Sequence, residues 1–323
     1  MTRIFAGHVA VIGIAVALAL AACGDGPGHR DGQHLERTTV KVGVLPIPDS
    51  APLYVALANG FFEQEGLTVQ PVTIQGGAAA LPQLESGALD VSLSNYVSAL
   101  LAASKGVPIK IVADLYHARP NVFDIVVPKN SPITGVAGLK GKTILVNTLS
   151  NIGTLSVTET LAGAGLTPAD VKFVATPFPD MTSTLISGGG DAAWMTEPFL
   201  TLAVRWQGFR VIADTMTGKL ADLPIGGWIA MDEWVRDNPR TLAAFRRALD
   251  KGQRLAAGDR EEVEAVLPSY TRIDPATASA IALGGFPTKL DPARLQRVAD
   301  LMLRYGYVSE PIDVKSVVAA APG

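Results

Sequence analysis

The sequence VLPIPDSAPLYVALANGFFEQEG (residues 44–66) joins the end of a β-strand to a helix across a proline-rich turn. The strand is predicted over residues 39–45, because this stretch is short and rich in β-branched residues. The helix is predicted over residues 53–59, and Gly60 suits its C-terminal end. A second strand is predicted over residues 67–74, so this part of the chain is a β-α-β unit with parallel strands.

The same alternation of strands and helices continues to about residue 231 and restarts once, near Val122, before the chain becomes helical from Asp237. This order predicts an α/β fold with two parallel-rich lobes, joined by two crossing strands near residues 117–121 and 229–233. The expected boundaries are 38–119 for lobe 1, 120–232 for lobe 2, and 233–323 for the return to lobe 1 and the C-terminal helices. A ligand is expected in the cleft between the lobes.

The first residues are typical of an export signal. Arg3 precedes an apolar run from Val9 to Leu20, which is too short for a membrane span. The small residues that follow, and then Cys23, resemble a bacterial lipobox, which implies cleavage after residue 22 and lipidation of Cys23. Residues 23–37 are polar and are predicted to form a flexible tether.

Composition limits the function classes. Hydrophobic residues make up 48% of the chain and charged residues 18%, as in a well-packed globular protein. The net charge of −3 argues against a nucleic-acid partner. Cys23 is the only cysteine, so an internal disulfide and a cysteine metal cluster are both excluded. We expect no cofactor and no metal site, since His117 has no second ligand at a suitable spacing.

Predicted helix N-termini supply one set of candidate ligand-binding residues. Helix N-termini offer free N–H groups and a partial positive charge, and ligands of α/β sheets sit beyond the carboxyl ends of strands. Simple helix capping or a plain turn remains the alternative for each of them. The candidates are Asp49, Ser50, Gly76, Gly77, Ser150, Asn151 and Thr154.

Strand ends supply a second set of candidates. Asp114 ends a predicted strand, where a hinge or packing role is equally consistent. Trp194 stacks on a flat ligand or packs in the core, and the residues after it, Met195 to Glu197, are expected to reach the cleft. Glu197 receives an amine of the ligand or pairs with a Lys or Arg of the protein. Because the cleft motifs contain acids and aromatics but no Lys or Arg, a nitrogen heterocycle is favoured over a simple sulfonate.

Four stretches together resemble one family, the binding proteins of ABC importers for sulfonates, taurine and thiamine-pyrimidine precursors. They are the opening stretch (44–66), GGAAALPQLESGALDVSLSNY (76–96), GLKGKTILV (138–146) and DAAWMTEPF (191–199). The resemblance covers residues 38 to about 233. It implies a two-lobed, type II periplasmic-binding-protein clamp that closes on a small molecule without chemistry, with a permease and its ATPase as partners. It also implies ligand contacts at Asn95 and Tyr96.

The expected protein is therefore a monomer that is exported and lipid-anchored. Its place is the outer face of the cell membrane, or the periplasmic side of a membrane in a Gram-negative host. Two alternatives stay open. One is a cell-surface sensor of the same fold, and the other is an enzyme of thiamine-pyrimidine or menaquinone synthesis. The enzyme is disfavoured because the sequence offers no convincing Ser-His-Asp or Cys-His pairing for His117.

Overall fold

The computed structural model describes residues 34–320. The signal sequence, the lipidation site at Cys23 and most of the predicted tether lie outside these residues. The last residues of the predicted tether are held against the folded part: Glu36 accepts hydrogen bonds from Arg240 and Thr241, and the Arg37 amide donates to Thr241. In the part of the chain that the structure describes, no helix combines the length and apolarity needed to cross a bilayer.

The first sheet has five strands in the order β2-β1-β3-β10-β4. β1 is parallel to both β2 and β3, as expected for strands joined by helices, while β10 runs antiparallel to its neighbours β3 and β4. The strands are β1 (Thr39–Val44), β2 (Thr68–Thr73), β3 (Val91–Asn95), β4 (Ile109–His117) and β10 (Pro224–Met231).

The second sheet repeats this arrangement in the order β7-β6-β8-β5-β9. β6 is parallel to β7 and β8, and β5 runs antiparallel to β8 and β9. The strands are β5 (Phe123–Val127), β6 (Thr143–Val146), β7 (Lys172–Ala175), β8 (Ala192–Thr196) and β9 (Arg210–Asp214).

The chain passes between the sheets twice, which gives the predicted α/β clamp of two lobes. The first passage, over residues 118–122, lies where the sequence indicates it. The second lies over residues 215–223, because β10 already belongs to the first sheet. The return is therefore earlier than the expected crossing at residues 229–233.

Helices cover both sheets, and side-chain caps define where several of them start. Asp259, Asp274 and Asp291 each accept a hydrogen bond from a backbone N–H in the first turn that follows, which satisfies donors that the helix cannot pair. The helices are α1 (Ala51–Ala58), α2 (Phe61–Gln64), α3 (Gly77–Glu85), α4 (Tyr96–Ser104), α5 (Ile152–Gly163), α6 (Met181–Ile186), α7 (Phe199–Thr201), α8 (Asp232–Asp237), α9 (Pro239–Gly258), α10 (Arg260–Thr271), α11 (Pro275–Ala280) and α12 (Pro292–Arg304).

The C-terminal helices pack on lobe 1 and also contact lobe 2. α9 lies directly on α1 at Gly252, where a Cβ atom would lie 2.3 Å from the Pro52 carbonyl oxygen. After α11, the Ala282 amide donates to Glu197 of lobe 2, and at the end of α12 the Tyr305 hydroxyl donates to Glu159 on α5. These contacts tie the last part of the chain to both lobes.

Candidate functional site

A cavity between the two lobes is formed at the carboxyl ends of the central strands, where ligands of α/β sheets bind. The space, including its opening to solvent, is about 420 Å³. We call it the interlobe cavity. Lobe 1 contributes Leu45, Ile47, Asp49, Gly76, Gly77, Leu93, Asn95, Leu115, Ile225 and Gly226, and lobe 2 contributes Phe123, Asn147, Ile152, Phe178, Trp194 and Thr196.

The two lobes touch at the edge of this cavity. Asn95 caps α4 by accepting a hydrogen bond from the Ser98 amide, and its Oδ1 also accepts one from the Ile152 amide of lobe 2 at 3.3 Å. A Cβ atom on Gly76 would lie 3.0 Å from the Thr148 side chain. Glycine at this position therefore lets the start of α3 approach lobe 2 closely, and the structure has the clamp closed.

Asp49 is the one ionisable residue among the described residues that line the cavity. It lies in a short 3-10 turn before α1 and is only 4% exposed. Its Oδ1 has no hydrogen-bond partner among the described residues. Burial raises the pKa of this carboxyl to about 7, because a charged group in an apolar site loses its hydration. A buried acceptor without a donor costs free energy that a ligand N–H group can recover.

Thr196 presents a second unpartnered group from the opposite lobe. It is the last residue of β8, fully buried, and its hydroxyl also lacks a hydrogen-bond partner among the described residues. Asp49 and Thr196 thus offer one acceptor from lobe 1 and one hydroxyl from lobe 2. A ligand that satisfies both would favour the closed state over the open one.

Aromatic side chains of lobe 2 form the apolar wall of the cavity. Phe123 stacks on Trp194 with ring centroids 5.2 Å apart and an angle of 9°, and Phe178 lies against Trp194 at 6.1 Å. The indole N–H donates to Thr215, and a Cβ atom on Gly153 would lie 2.7 Å from the ring. Trp194 is therefore held rigidly. It packs in the core as one of the two expectations had it, and it also lines the cavity, where stacking on a flat ligand stays a prediction.

Three of the predicted site residues do not line the cavity and are engaged elsewhere in lobe 1. The Ser50 hydroxyl donates to the Leu45 carbonyl oxygen at 2.8 Å. The Tyr96 hydroxyl donates to Asp114 at 2.7 Å, and the other oxygen of Asp114 lies 3.0 Å from Nε2 of His117. This buried group joins β4 to α4, which agrees with the packing role considered for Asp114.

The start of α5 shows capping of the kind that the sequence left as an alternative. Asn151 accepts from the Thr154 amide, while the Thr154 hydroxyl accepts from the Asn151 amide. Asn151 also donates to Asn147 at 2.6 Å and so positions a residue that lines the cavity. Ser150 is exposed and has φ = 52°. Ser150, Asn151 and Thr154 themselves lie outside the cavity lining.

Glu197 is bonded within the protein. Its carboxylate accepts hydrogen bonds from the amide and hydroxyl of Thr201 and from the Ala282 amide. Burial raises its pKa, while these donors act in the opposite direction. Its partners are neutral donors rather than the Lys or Arg considered from the sequence, and it lies outside the cavity lining.

Of the twelve predicted ligand residues, five line the cavity: Asp49, Gly76, Gly77, Asn95 and Trp194. Sequence reasoning missed most of the apolar lining: Leu45, Ile47, Leu93, Leu115, Phe123, Phe178, Ile225 and Gly226. In the stretch 147–154, which was expected at the cleft, it chose Ser150, Asn151 and Thr154, whereas Asn147 and Ile152 are the residues that line the cavity. Apolar residues at the ends of buried strands are indistinguishable from core residues in one sequence. The available signal was position alone, since β1, β3, β4 and β6 end beside this cavity.

Comparison with known proteins adds a family and a set of relatives. A family model described as NMT1/THI5 like matches residues 47–263. A Bacillus subtilis protein named for the binding of aliphatic sulfonates is 26% identical over 95% of this chain and 93% of its own. The 4-amino-5-hydroxymethyl-2-methylpyrimidine phosphate synthase of Uromyces fabae is 25% identical over 67% of this chain and 66% of its own.

Among solved structures, the alkanesulfonate-binding protein SsuA from Xanthomonas axonopodis pv. citri, bound to MOPS, superposes with a TM-score of 0.76. The two chains are 19% identical, and the match covers 89% of this chain and all of the other. At this identity the likeness concerns the fold, and it confirms the two-lobed α/β clamp.

Proposed function

The chain belongs to the NMT1/THI5-like family, and from this premise we propose that it is an exported solute-binding protein of an ABC importer. It captures a small organic molecule between its lobes and delivers it to a permease that an ATPase drives. The observation that carries the proposal is the mostly apolar interlobe cavity, into which Asp49 brings a buried acceptor that has no hydrogen-bond partner among the described residues. Such a site binds and releases a solute through the opening of a hinge.

The chemistry of the lining favours a flat, nitrogen-bearing solute. No Lys, Arg or His is among the described residues that line the cavity, and its one ionisable group is an acid. A sulfonate head would lie beside a carboxyl with a pKa of about 7, and whenever Asp49 is ionised the two negative charges would repel in an apolar space. An amine or ring N–H would instead donate to Asp49, while Trp194 and Phe123 contact the ring.

A thermal-shift screen of residues 35–323 tests this proposal. The panel contains aminopyrimidines, including 4-amino-5-hydroxymethyl-2-methylpyrimidine, with alkanesulfonates, taurine and polyamines. A ligand at a hundred times its Kd stabilises the fold by about 2.7 kcal/mol. We expect stabilisation by heterocycles in the native protein and its loss in Asp49→Asn or Trp194→Ala. Stabilisation by sulfonates alone would refute the assignment of Asp49 as the anchor.

Attachment to the membrane is a further part of the proposed function. We propose that Cys23 carries the lipid anchor and that the protein acts as a monomer beside its permease. Replacing Cys23 by Ala should release the protein from the membrane fraction or leave the precursor uncleaved. A processed Cys23→Ala protein that stayed in the membrane would contradict lipid anchoring.

An enzyme is the second candidate, because the Uromyces fabae relative is a synthase. In the described part of the chain, the only group of the cavity lining that exchanges protons near neutral pH is Asp49. Recovery of a bound heterocycle from the protein, with its mass unchanged after prolonged incubation, would support binding without turnover. Conversion of that heterocycle would favour the enzyme.

A further inference from the structure

Phe178 separates the interlobe cavity from a second, larger space between the lobes. Its ring lies 6.1 Å from Trp194 on the inner side and stacks on Phe199 at 5.7 Å on the other. The second space, which we call the outer cavity, is about 1160 Å³ including its opening to solvent. Phe178 and Phe199 of lobe 2 face Tyr270 and Arg272 of lobe 1 across it. Phe178 lines both cavities and is only 6% exposed.

On the lobe 1 side, a residue that lines the outer cavity is hydrogen-bonded to a residue that lines the interlobe cavity. Tyr270 stacks on Tyr54 with centroids 3.9 Å apart and an angle of 2°, so its ring has a defined orientation. Its hydroxyl donates to the Ile47 carbonyl oxygen at 3.2 Å, and Ile47 lines the interlobe cavity. The two cavities therefore share a wall as well as the Phe178 ring.

Arg272 gives the outer cavity a charge of the opposite sign to Asp49. It follows α10 with φ = 61°, it is exposed, and its guanidinium forms no hydrogen bond or ion pair with another described residue. It is the one charged side chain among the described residues that line this space. A guanidinium binds phosphate or sulfonate oxygens through paired hydrogen bonds.

We propose that the ligand is bipartite: a flat, N–H-bearing head occupies the interlobe cavity, and an anionic extension passes Phe178 and binds Arg272 in the outer cavity. This inference rests on the proposed function and deepens it by naming the substrate class. Phe178 must rotate to admit the extension, and Phe199 and Tyr270 then contact it. The arrangement places the anion away from Asp49, so an acidic inner site and an anionic ligand are compatible.

The first test compares two probes that differ only in the anionic group, 4-amino-5-hydroxymethyl-2-methylpyrimidine and its phosphate ester, by calorimetry with the full chain. Arg272→Gln should weaken binding of the phosphate ester at least tenfold and of the alcohol less than twofold. The control is Lys105→Gln, which removes the same charge at a position away from the cavity. Asn95, at the start of α4, lines the interlobe cavity, whereas Lys105 follows the other end of this helix, about 14 Å away. It should change neither affinity by more than twofold. Equal effects of Arg272→Gln on both probes, or none, would overturn the proposal.

A second test needs no ligand, so it still decides the outer cavity if neither probe binds and the proposed head group fails. Quenching of tryptophan fluorescence by iodide and by acrylamide is compared in a Trp206→Phe/Trp234→Phe background. This background removes the exposed and the half-buried tryptophan and leaves the buried Trp194 and Trp228. Phe178→Ala should make Trp194 accessible and raise both quenching constants at least twofold. Adding Arg272→Gln should lower the iodide constant but leave the acrylamide constant unchanged. Unaltered quenching in Phe178→Ala would show that Phe178 does not divide the two spaces.

Discussion

Replacing Asp49 by Asn should change the pH dependence of stability in a direction that the structure dictates. The carboxyl has a pKa of about 7 in the folded protein, raised by burial from its ordinary value of 3.8. A raised folded-state pKa means that the protonated carboxyl favours the folded state. Its contribution is complete below the unfolded-state value near 4 and is lost as the pH rises through 7.

The size of the effect follows from these two values. Between pH 5 and pH 8 the contribution of Asp49 falls by about 2.5 kcal/mol. Asn cannot ionise, so Asp49→Asn should gain about that much stability relative to the native protein over the same pH range. Asp124 is a second carboxyl whose pKa is raised to about 7, by burial and then by Asp214 and Glu197. The variant therefore keeps the part of the pH dependence that Asp124 contributes.

The assay is chemical denaturation of ligand-free protein at pH 5, 6, 7 and 8, with the free energy of unfolding extrapolated to water for each variant. Asp237→Asn, an exposed position on α8, controls for the loss of one negative charge. Stability curves of Asp49→Asn and native protein that stay parallel from pH 5 to pH 8 would refute the assignment of Asp49 as a buried carboxyl without a donor.

Substitutions at Trp194, Tyr96 and Gly77 separate effects on ligand binding from effects on folding. Trp194→Ala should lower ligand affinity at least tenfold and cost about 3–5 kcal/mol of stability, whereas Trp194→Phe should recover most of the affinity in calorimetry. Tyr96→Phe should lower the free energy of unfolding by about 1.5–3 kcal/mol because Asp114 loses a buried donor. Ligand affinity should stay within twofold, and a larger loss would contradict the position of Tyr96 outside the cavity. Gly77→Ala should destabilise the folded protein by about 1–3 kcal/mol, because the added Cβ would lie 2.7 Å from the Cα of Ser94. A denaturation midpoint equal to that of the native protein would disprove this close approach.

Local pattern was enough for much of the fold. The strands predicted over residues 39–45 and 67–74 are β1 and β2 to within a residue at each end, because β-branched runs between turns favour extended backbone. The second crossing was misplaced because nothing local distinguishes β10 from a crossing strand. Its place between β3 and β4 depends on pairing with strands more than a hundred residues earlier.

The same distinction between local pattern and long-range contacts applies to the candidate site. Asp49 and Ser50 are neighbours in one turn, and the sequence offers both equally as ligand contacts. In the structure the Ser50 hydroxyl donates to the Leu45 carbonyl oxygen, whereas Oδ1 of Asp49 receives no hydrogen bond from any residue between 34 and 320. Glu197 was the acid that the sequence favoured and Asp114 a weaker candidate, yet both accept hydrogen bonds from other elements, from the Ala282 amide and the Tyr96 hydroxyl respectively.

The sequence by itself determined the strand and helix order, the family motifs and the candidate positions at the ends of strands, because periodicity and turn chemistry act over a few residues. Tertiary structure decided which polar atoms remain free for a ligand and which apolar strand ends face the cavity. The physical reason is that hydrogen-bond satisfaction and burial are properties of contacts between distant segments. The role that we propose for Asp49 rests on such a contact property, the lack of a donor to its Oδ1 within the described part of the chain.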